Sequence, residues 1–201
     1  EALFHEGYDI LDGVAVASHG PVKSVFLAHQ QPLEEIEIIH CDTASLTSVN
    51  LLRVLLAERG LRPAFMPLPD YAQATALENV LLIGNPGIDF LHAPHPHTIW
   101  DLGAAWQELT DLPFVYAAWT LRRGHHDAAL REYLRATKTS GLEQLSKIIA
   151  THPDYDTAFR QAYLGGHIQY NLGKTEKDGL AKFVELLKMH GDQDVYKPTF
   201  V

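Results

Sequence analysis

The order in which strand-like and helix-like segments follow one another constrains this fold more than any other feature of the sequence. Up to Leu121, short runs rich in β-branched and aromatic residues alternate with segments whose apolar residues recur at helical spacing. From His126 onward the pattern is almost wholly helical. Strands that alternate with helices are typical of a layered fold in which helices cover a sheet. We therefore predict an α/β protein with a helical C-terminal part.

The predicted elements have the following bounds. We predict strands at 14–17, 22–28, 36–40, 65–68, 80–83 and 114–121. After a short helical opening, we predict helices at 48–60, 71–77, 101–109, 128–136, 142–151, 157–163 and 177–189. Thr47 or Ser48 is the expected N-cap of the helix at 48–60, and Gly60 its expected C-cap. The Gly-Asn-Pro-Gly sequence at 84–87 is predicted to form a sharp turn after a buried strand.

The net charge limits the kinds of molecule that the protein is expected to bind. The chain has 16 Lys and Arg against 25 Asp and Glu, which gives a formal net charge of −9. Nucleic acid and anionic membranes both require a basic surface, so neither is expected as a partner. No apolar run approaches the ~18 residues needed to cross a bilayer. A small anionic substrate is still allowed, but local donors must hold it against the overall charge.

The single cysteine and the first residue bear on where the protein works. Cys41 has no second cysteine to pair with, which excludes an internal disulfide and fits a reducing compartment. The sequence opens at Glu1, without a methionine or a start-like region. We therefore expect it to begin within a domain, so that it cannot be used to judge whether a signal peptide exists.

Short motifs occur in a characteristic order along the chain. They are Ser-His-Gly-Pro-Val-Lys-Ser at 18–24, Asp-Thr-Ala-Ser-Leu-Thr-Ser-Val at 42–49, Leu-Ile-Gly-Asn at 82–85, the nineteen residues 101–119, and Tyr-Asn-Leu-Gly at 170–173 with Gly-Leu-x-x-Phe at 179–183. In this order they resemble the chorismate dehydratase family, which opens the futalosine route to menaquinone. The resemblance runs from Val14 to near Leu187, and the nineteen-residue stretch makes it specific.

The resemblance implies the two-lobed fold of type 2 periplasmic solute-binding proteins, in which two crossing strands join the lobes around a ligand cleft. Residues 1–30 would then form part of the large lobe and the outgoing crossing strand, residues 31–113 the small lobe, and residues 114–201 the return strand and the C-terminal helices of the large lobe. It also implies that an N-terminal part of the large lobe, with an Asn-containing loop of the site, is missing from the sequence. The strands at 14–17 and 114–121 are then expected to have unpaired edges.

The resemblance further implies a cytoplasmic hydro-lyase that needs no metal or cofactor. The family removes water from chorismate, a small dianion, to give 3-[(1-carboxyvinyl)oxy]benzoate. The ring hydroxyl leaves, a proton is lost from the neighbouring carbon that bears the enolpyruvyl ether, and the ring becomes aromatic. Because aromatisation supplies much of the driving force, the protein must hold two carboxylates and assist a leaving hydroxyl.

Ser24 and the loop at 42–49 provide most of the candidate site residues. On the resemblance, Ser24 is assigned a catalytic role, as a hydrogen-bond partner of the substrate or its leaving hydroxyl. Ser45, Thr47 and Ser48 are assigned to substrate binding, because hydroxyls and unpaired N–H groups at a helix start can hold an anion. The alternatives are that the loop hydroxyls are ordinary N-caps and that Ser24 is a strand serine satisfied by backbone.

Gly84 and Asn85 are also assigned to substrate binding, because they end a predicted buried strand and open α/β sheets bind ligands at such ends. Relatives usually carry Asp after this Gly, and they commonly carry Arg where this chain has Leu46, so both charges are missing here. Asp101 is expected to be a helix cap. With no convincing base in the sequence, the enolpyruvyl carboxylate of the substrate is itself a candidate to take the proton.

Three histidines lie close together in the sequence, as they do in some metal sites. We favour a solvated loop over a metal site for this segment. His92, His95 and His97 are separated by prolines that favour an extended segment, and no Cys or His-Glu-x-x-His helix accompanies them. We therefore predict no metal. His125 and His126 are expected at a solvated helix entry.

Two other functions are compatible with the same fold. The first is 1,4-dihydroxy-6-naphthoate synthase, which belongs to the same pathway and uses a larger nucleoside-derived substrate. The motifs at 18–24, 42–49 and 101–119 favour the dehydratase over this enzyme. The second is a transport-type solute-binding protein, which an upstream signal peptide would favour.

Overall fold

The computed structural model describes residues 3–42, 45–191 and 194–201. Its strands are β1 (Tyr8–Ser18), β2 (Val25–His29), β3 (Ile38–Cys41), β4 (Ala64–Pro67), β5 (Asn79–Ile83), β6 (Thr98–Asp101) and β7 (Phe114–Arg122). Its helices are α1 (Leu46–Glu58), α2 (Asn85–His92), α3 (Leu102–Thr110), α4 (Ala128–Glu143), α5 (Leu145–Thr151), α6 (Thr157–Ala162) and α7 (Lys174–His190). Short 3-10 turns lie at Leu33–Glu35 and Tyr71–Ala76, and a π-helical turn at Tyr163–His167. Within the described ranges, no helix is both long enough and apolar enough to cross a bilayer.

Among the residues that the structure describes, the larger of two sheets has five strands in the order β4-β3-β5-β2-β6. β3 runs parallel to β4 and β5, whereas β2 runs antiparallel to β5 and to β6. β2 and β5 are buried along almost their whole length, which explains why both are continuous apolar runs in the sequence. Because β6 is antiparallel to β2, it runs in the same direction as β5 and β3. These three strands therefore end at the same edge of the sheet.

The smaller sheet is the antiparallel pair β1 and β7. The C-terminal part of the chain covers the second edge of β1: Ala17 N donates to Gln169 O at 2.9 Å and Ile10 N donates to Thr199 O at 2.7 Å. The second edge of β7 pairs with no other strand among the described residues. The expectation of an unpaired edge is therefore wrong for β1 and holds for β7 within this part of the chain.

One hydrophobic core extends from the five-stranded sheet to Phe114 at the start of β7. Trp106 of α3, Phe114 of β7 and Phe183 of α7 meet edge to face, with ring centroids 4.9 to 5.9 Å apart. The Trp106 indole donates to the Pro113 carbonyl at 3.2 Å. A Cβ atom at Gly179 would lie 2.1 Å from that same carbonyl oxygen, so α7 packs here at a distance that only glycine allows.

Several predicted bounds differ from the structure. β1 begins at Tyr8, where the sequence predicts a helical opening, and α2 begins at Asn85, where it predicts a turn. Pro86 fits the first turn of α2, because the N–H that proline lacks would have no partner there. The predicted crossing strands each lie in one sheet only, β2 in the larger and β7 in the smaller. The chain therefore passes between the sheets in the segments 19–24 and 102–113, and the lobe bounds stay a prediction.

Candidate functional site

Three helices begin at one edge of the five-stranded sheet. α1 follows β3, α2 follows β5, and α3 follows β6 directly. β2 starts at the same edge, since Val25 pairs with Ile83 at the end of β5. Helix N-termini carry partial positive charge and unpaired N–H groups, and ligands of open α/β sheets bind outside the carboxyl ends of strands. This edge can therefore receive an anionic group.

Asp101 occupies the N-terminus of α3. Its Oδ1 accepts hydrogen bonds from Gly103 N at 2.9 Å and Ala104 N at 3.0 Å. The same carboxylate accepts from Val22 N at 3.1 Å and Lys23 N at 2.8 Å. The predicted role of Asp101 as a helix cap is confirmed, and the carboxylate also fixes the segment that leads into β2. Because four backbone donors engage it, Asp101 acts as an anchor and is poorly placed to act as a base.

Asp42 is a second carboxylate at this edge, and it also has a partner. It follows β3 and is 4% exposed. The Tyr71 hydroxyl donates a hydrogen bond to Asp42, and this bond raises the pKa of Tyr71. The two carboxylates that flank the edge are therefore both engaged within the protein.

Ser24 and Gly84 meet at the centre of the edge. Gly84 N donates to the Ser24 carbonyl at 2.7 Å, and Ser24 is 4% exposed. The Ser24 hydroxyl oxygen accepts a hydrogen bond of 2.8 Å from the Tyr163 hydroxyl. The structure thus brings together two of the predicted site residues. It adds Tyr163, which the sequence marks only as the end of a predicted helix.

The N-terminus of α2 is open. Gly84 is its N-cap, with φ 66° and ψ −144°, a left-handed conformation that favours glycine. No described side chain makes a capping hydrogen bond to this helix. Asn85 is exposed at the first helical position, where its amide can donate to a ligand. The start of α2 therefore has donors to offer to an anion beside Ser24.

The start of α1 differs from the prediction. Ser45 is the N-cap, and its Oγ accepts from Ser48 N at 3.3 Å. The expectation that Thr47 or Ser48 would be the cap is therefore wrong, because the helix begins two residues earlier, at Leu46. Ser48 is buried, with its hydroxyl 3.1 Å from that of Ser45, whereas Thr47 is half-buried. Residues 43 and 44 of this loop lie outside the described residues.

Thr47 lines a cavity of about 290 Å³ that it shares with Tyr116 of β7. The Tyr116 hydroxyl lies 3.2 Å from Ser18 Oγ, which donates to the Gly20 carbonyl at 2.9 Å. Burial raises the pKa of Tyr116, so its hydroxyl stays protonated. The residues at the starts of β2 and α2 are not among those described as lining this cavity. The predicted site residues thus form two groups, and the segment 18–24 connects them.

Comparison with known proteins assigns the family. A model of the menaquinone biosynthesis family matches residues 2–189. This chain belongs to that family. Chorismate dehydratase of Thermus thermophilus is a 31% identical relative over 202 residues, an alignment that covers 89% of this chain and 73% of the relative. The sequence resemblance to the chorismate dehydratase family is confirmed.

Solved structures show the same fold at low sequence identity. A protein from Archaeoglobus fulgidus matches with a TM-score of 0.62 and 20% identity, over 92% of this chain and 74% of the other. An ABC transporter from Parabacteroides distasonis matches with a TM-score of 0.56 and 17% identity, over 92% and 68%. The predicted α/β fold of the periplasmic-binding-protein type is confirmed. At these identities, the likeness concerns the fold alone.

In this member of the menaquinone biosynthesis family, His92, His95 and His97 lie in three different environments. His97 is buried, and its Nε2 lies 2.6 Å from the Leu77 carbonyl, so a solvated loop is wrong for this residue. His95 stacks on Phe90 with ring centroids 4.6 Å apart, and His92 is exposed at the end of α2. Within residues 3–42, 45–191 and 194–201, no group of three or more His, Cys, Asp or Glu could hold a metal ion.

His126 takes part in a structural hydrogen-bond network with Asp9 and Arg131. Its side chain is 7% exposed, so a solvated position is wrong for it, whereas His125 is exposed. His126 Nε2 lies 3.0 Å from Asp9, and Arg131 donates to the other ring nitrogen at 2.8 Å. Arg123 donates to Asp9 at 2.8 Å. The hydrogen bonds from His126 and then Arg123 hold the pKa of Asp9 below its usual value.

Proposed function

We propose that this protein is a chorismate dehydratase, a carbon–oxygen hydro-lyase that works in the cytoplasm as part of menaquinone biosynthesis. The main support is the 31% identical chorismate dehydratase, which aligns over 89% of this chain. The sheet edge at which α1, α2 and α3 begin supports the same proposal, because it offers backbone donors to an anionic substrate.

Chorismate carries two carboxylates, and we assign them to the two helix starts that are not filled by Asp101. One lies at the start of α2, near Gly84 and Asn85, and the other near Thr47 in the first turn of α1. The formal net charge of −9 makes such local donors necessary, because the overall field repels a dianion. Ser45 and Ser48 support this arrangement by bonding to each other and fixing the start of α1.

Ser24 is assigned to the reacting part of the substrate. Its hydroxyl lies at the centre of the edge and assists the departing ring hydroxyl by a hydrogen bond. The proton on the neighbouring carbon needs an acceptor, and both Asp42 and Asp101 are already engaged. We therefore assign the base to the enolpyruvyl carboxylate of chorismate, which the protein holds in position. The departing hydroxyl and the proton together make one molecule of water. The reaction involves no oxidation or reduction.

The proposal is tested by incubating the purified full-length protein with chorismate and following the products by mass spectrometry. We expect a product that has lost one water, with the aromatic proton signals of 3-[(1-carboxyvinyl)oxy]benzoate, and the same rate with or without a chelator. Tight binding of chorismate without turnover would favour a solute-binding protein. Activity that a chelator abolishes and zinc restores would contradict the metal-free reaction.

A further inference from the structure

The hydrogen bond between Tyr163 and Ser24 joins two distant parts of the chain. The Tyr163 hydroxyl donates to Ser24 Oγ at 2.8 Å across 139 positions of sequence. Ser24 itself lies at the start of β2 and is 4% exposed. A hydroxyl oxygen accepts up to two hydrogen bonds and donates one. Since Ser24 accepts from Tyr163, its own proton is left to donate to another group.

The ring of Tyr163 is held by contacts that lead back to α2. It stacks on Phe159 with centroids 5.6 Å apart and planes within 15°. Phe159 in turn meets His92 at the end of α2, with ring centroids 5.3 Å apart. The Tyr155 hydroxyl donates to Asp89 of the same helix at 3.0 Å. Tyr163 is therefore fixed relative to the helix whose other end borders Ser24.

The backbone around Tyr163 is also unusual. Tyr163 is the first residue of the π-helical turn Tyr163–His167, which follows α6. Single π-helical turns are uncommon and occur frequently at functional sites, because they change the direction in which a side chain points. Here the turn begins at the residue that reaches Ser24.

We propose that Tyr163 is a positioning residue of the dehydratase site: its hydroxyl donates to Ser24 Oγ and so directs the Ser24 proton towards the departing hydroxyl of the substrate. This inference rests on the proposed function and extends it. Tyr163 touches Ser24 and not the reacting atoms, so it acts on the rate through Ser24 and contributes little to substrate affinity.

The first test compares the steady-state kinetics of Ser24→Ala, Tyr163→Phe and the double variant. We expect Ser24→Ala to lower kcat by ~10- to 1000-fold and Tyr163→Phe by ~3- to 30-fold, with KM nearly unchanged. The double variant should fall within ~2-fold of Ser24→Ala alone, because Tyr163 acts through the missing hydroxyl. If the two losses multiply instead, Tyr163 acts independently of Ser24 and the inference is wrong.

Tyr133→Phe is the matched control for these kinetics. Tyr133 lies on α4 and is 69% exposed, so this variant also loses one tyrosine hydroxyl but leaves the turn at Tyr163–His167 and the contact with Ser24 intact. We expect kcat to stay within ~2-fold of the wild type, as for most changes away from a site. A loss as large as that of Tyr163→Phe would indicate a general loosening of the fold and would contradict positioning of Ser24.

A second test does not depend on chorismate. Ser24→Cys places a thiol beside the Tyr163 hydroxyl, and its thiolate absorbance is titrated as a difference from the parent protein. Cys41 does not interfere, because burial raises the pKa of Cys41 to about 12. A hydrogen bond to the thiolate lowers the pKa of the introduced thiol, so adding Tyr163→Phe should raise it by about 1 unit. An unchanged titration would overturn the inference.

The two tests separate failure of this inference from failure of the proposed function. If the wild type does not convert chorismate but the thiol titration shifts, the dehydratase proposal fails. The hydrogen bond from Tyr163 to the side chain at position 24 is then still supported. If the wild type is active but neither the kinetics nor the titration couples the two positions, the dehydratase proposal stands and the role of Tyr163 is rejected.

Discussion

Asp9 is a buried carboxylate and Asp101 a half-buried one, and both lie on strands. The hydrogen-bond donors around each carboxylate determine which part of the structure it stabilises. Asp101 accepts only from backbone N–H groups and so fixes a loop and a helix start beside the candidate site. Asp9 accepts from the side chains of Arg123 and His126 and so ties β1 to the segment that precedes α4. The first carboxylate shapes the site, and the second contributes to the stability of the smaller sheet.

Asp9→Asn should lower the stability of the protein in a way that depends on pH. At pH 7 we expect a loss of about 1.5–3 kcal/mol, because the new amide N–H group faces the donor on His126. The pKa of Asp9 is lowered from its usual 3.8, so its contribution is complete above that value and is lost as the pH falls through the lowered pKa. Urea unfolding at several pH values measures this effect.

Asp12→Asn is the matched control on the same strand. Asp12 pairs with Lys177 at 2.7 Å, but its side chain is 41% exposed. Exposed pairs contribute about 0–1 kcal/mol, so we expect a small change at pH 7. Equal losses for the two variants, or a loss for Asp9→Asn that stays constant down to acid pH, would contradict the role given to Asp9.

At the level of elements, the packing of α7 on the start of β7 depends on one glycine. A Cβ atom at Gly179 would come within 2.1 Å of the Pro113 carbonyl oxygen, which also accepts from Trp106. The helix cannot move away without opening the contact between Phe114 and Phe183, whose ring centroids are 4.9 Å apart. The glycine and the phenylalanine of the Gly-Leu-x-x-Phe motif are therefore both explained by the packing of α7 on β7.

Gly179→Ala should therefore destabilise the protein, even though alanine is the better helix former. We expect a loss of about 1–3 kcal/mol, the usual cost of overpacking. Gly141→Ala in α4 is the control, since nothing lies within 4 Å of the added methyl group. That variant should be neutral or more stable by up to about 1 kcal/mol. If both changes have the same effect in urea unfolding, the close approach at Gly179 does not control this packing.

Local patterns predict some elements better than others. The helix at 48–60 and the buried strand at 80–83 are found within two residues of their predicted bounds, because their apolar spacing matches their burial. α2 is missed because its Gly-Asn-Pro-Gly start is also typical of a turn, and tertiary packing decides between the two. The contact of Tyr163 with Ser24 is not predictable at all from local pattern, since it depends on how the C-terminal helices pack on the larger sheet.

At the level of the whole molecule, the directions of the strands determine which parts of the chain meet at the candidate site. β3, β5 and β6 all end at one edge of the five-stranded sheet, and this brings the starts of α1, α2 and α3 together although they are far apart in sequence. Asp101 fills the start of α3, so two helix starts remain for a substrate with two carboxylates.

A second hollow, of about 400 Å³, lies between β7 and α4 to α5 and has an apolar lining that includes Trp119 and Leu145. Among the described residues that line it, Lys138 is the one cation, and its Nζ already donates to the Gly13 carbonyl, so this lining suits a dianion less well than the helix starts do.

A crystal structure of the full-length protein with 3-[(1-carboxyvinyl)oxy]benzoate bound would show where the carboxylates of the ligand are held. We expect the ligand at the edge where the helices begin, with one carboxylate within hydrogen-bond distance of the first turn of α2 and the other near Thr47. The Ser24 hydroxyl should face the ring carbon that carried the departing hydroxyl. A ligand bound in the hollow beside Trp119, or one that leaves the start of α2 without contacts, would contradict this placement of the site.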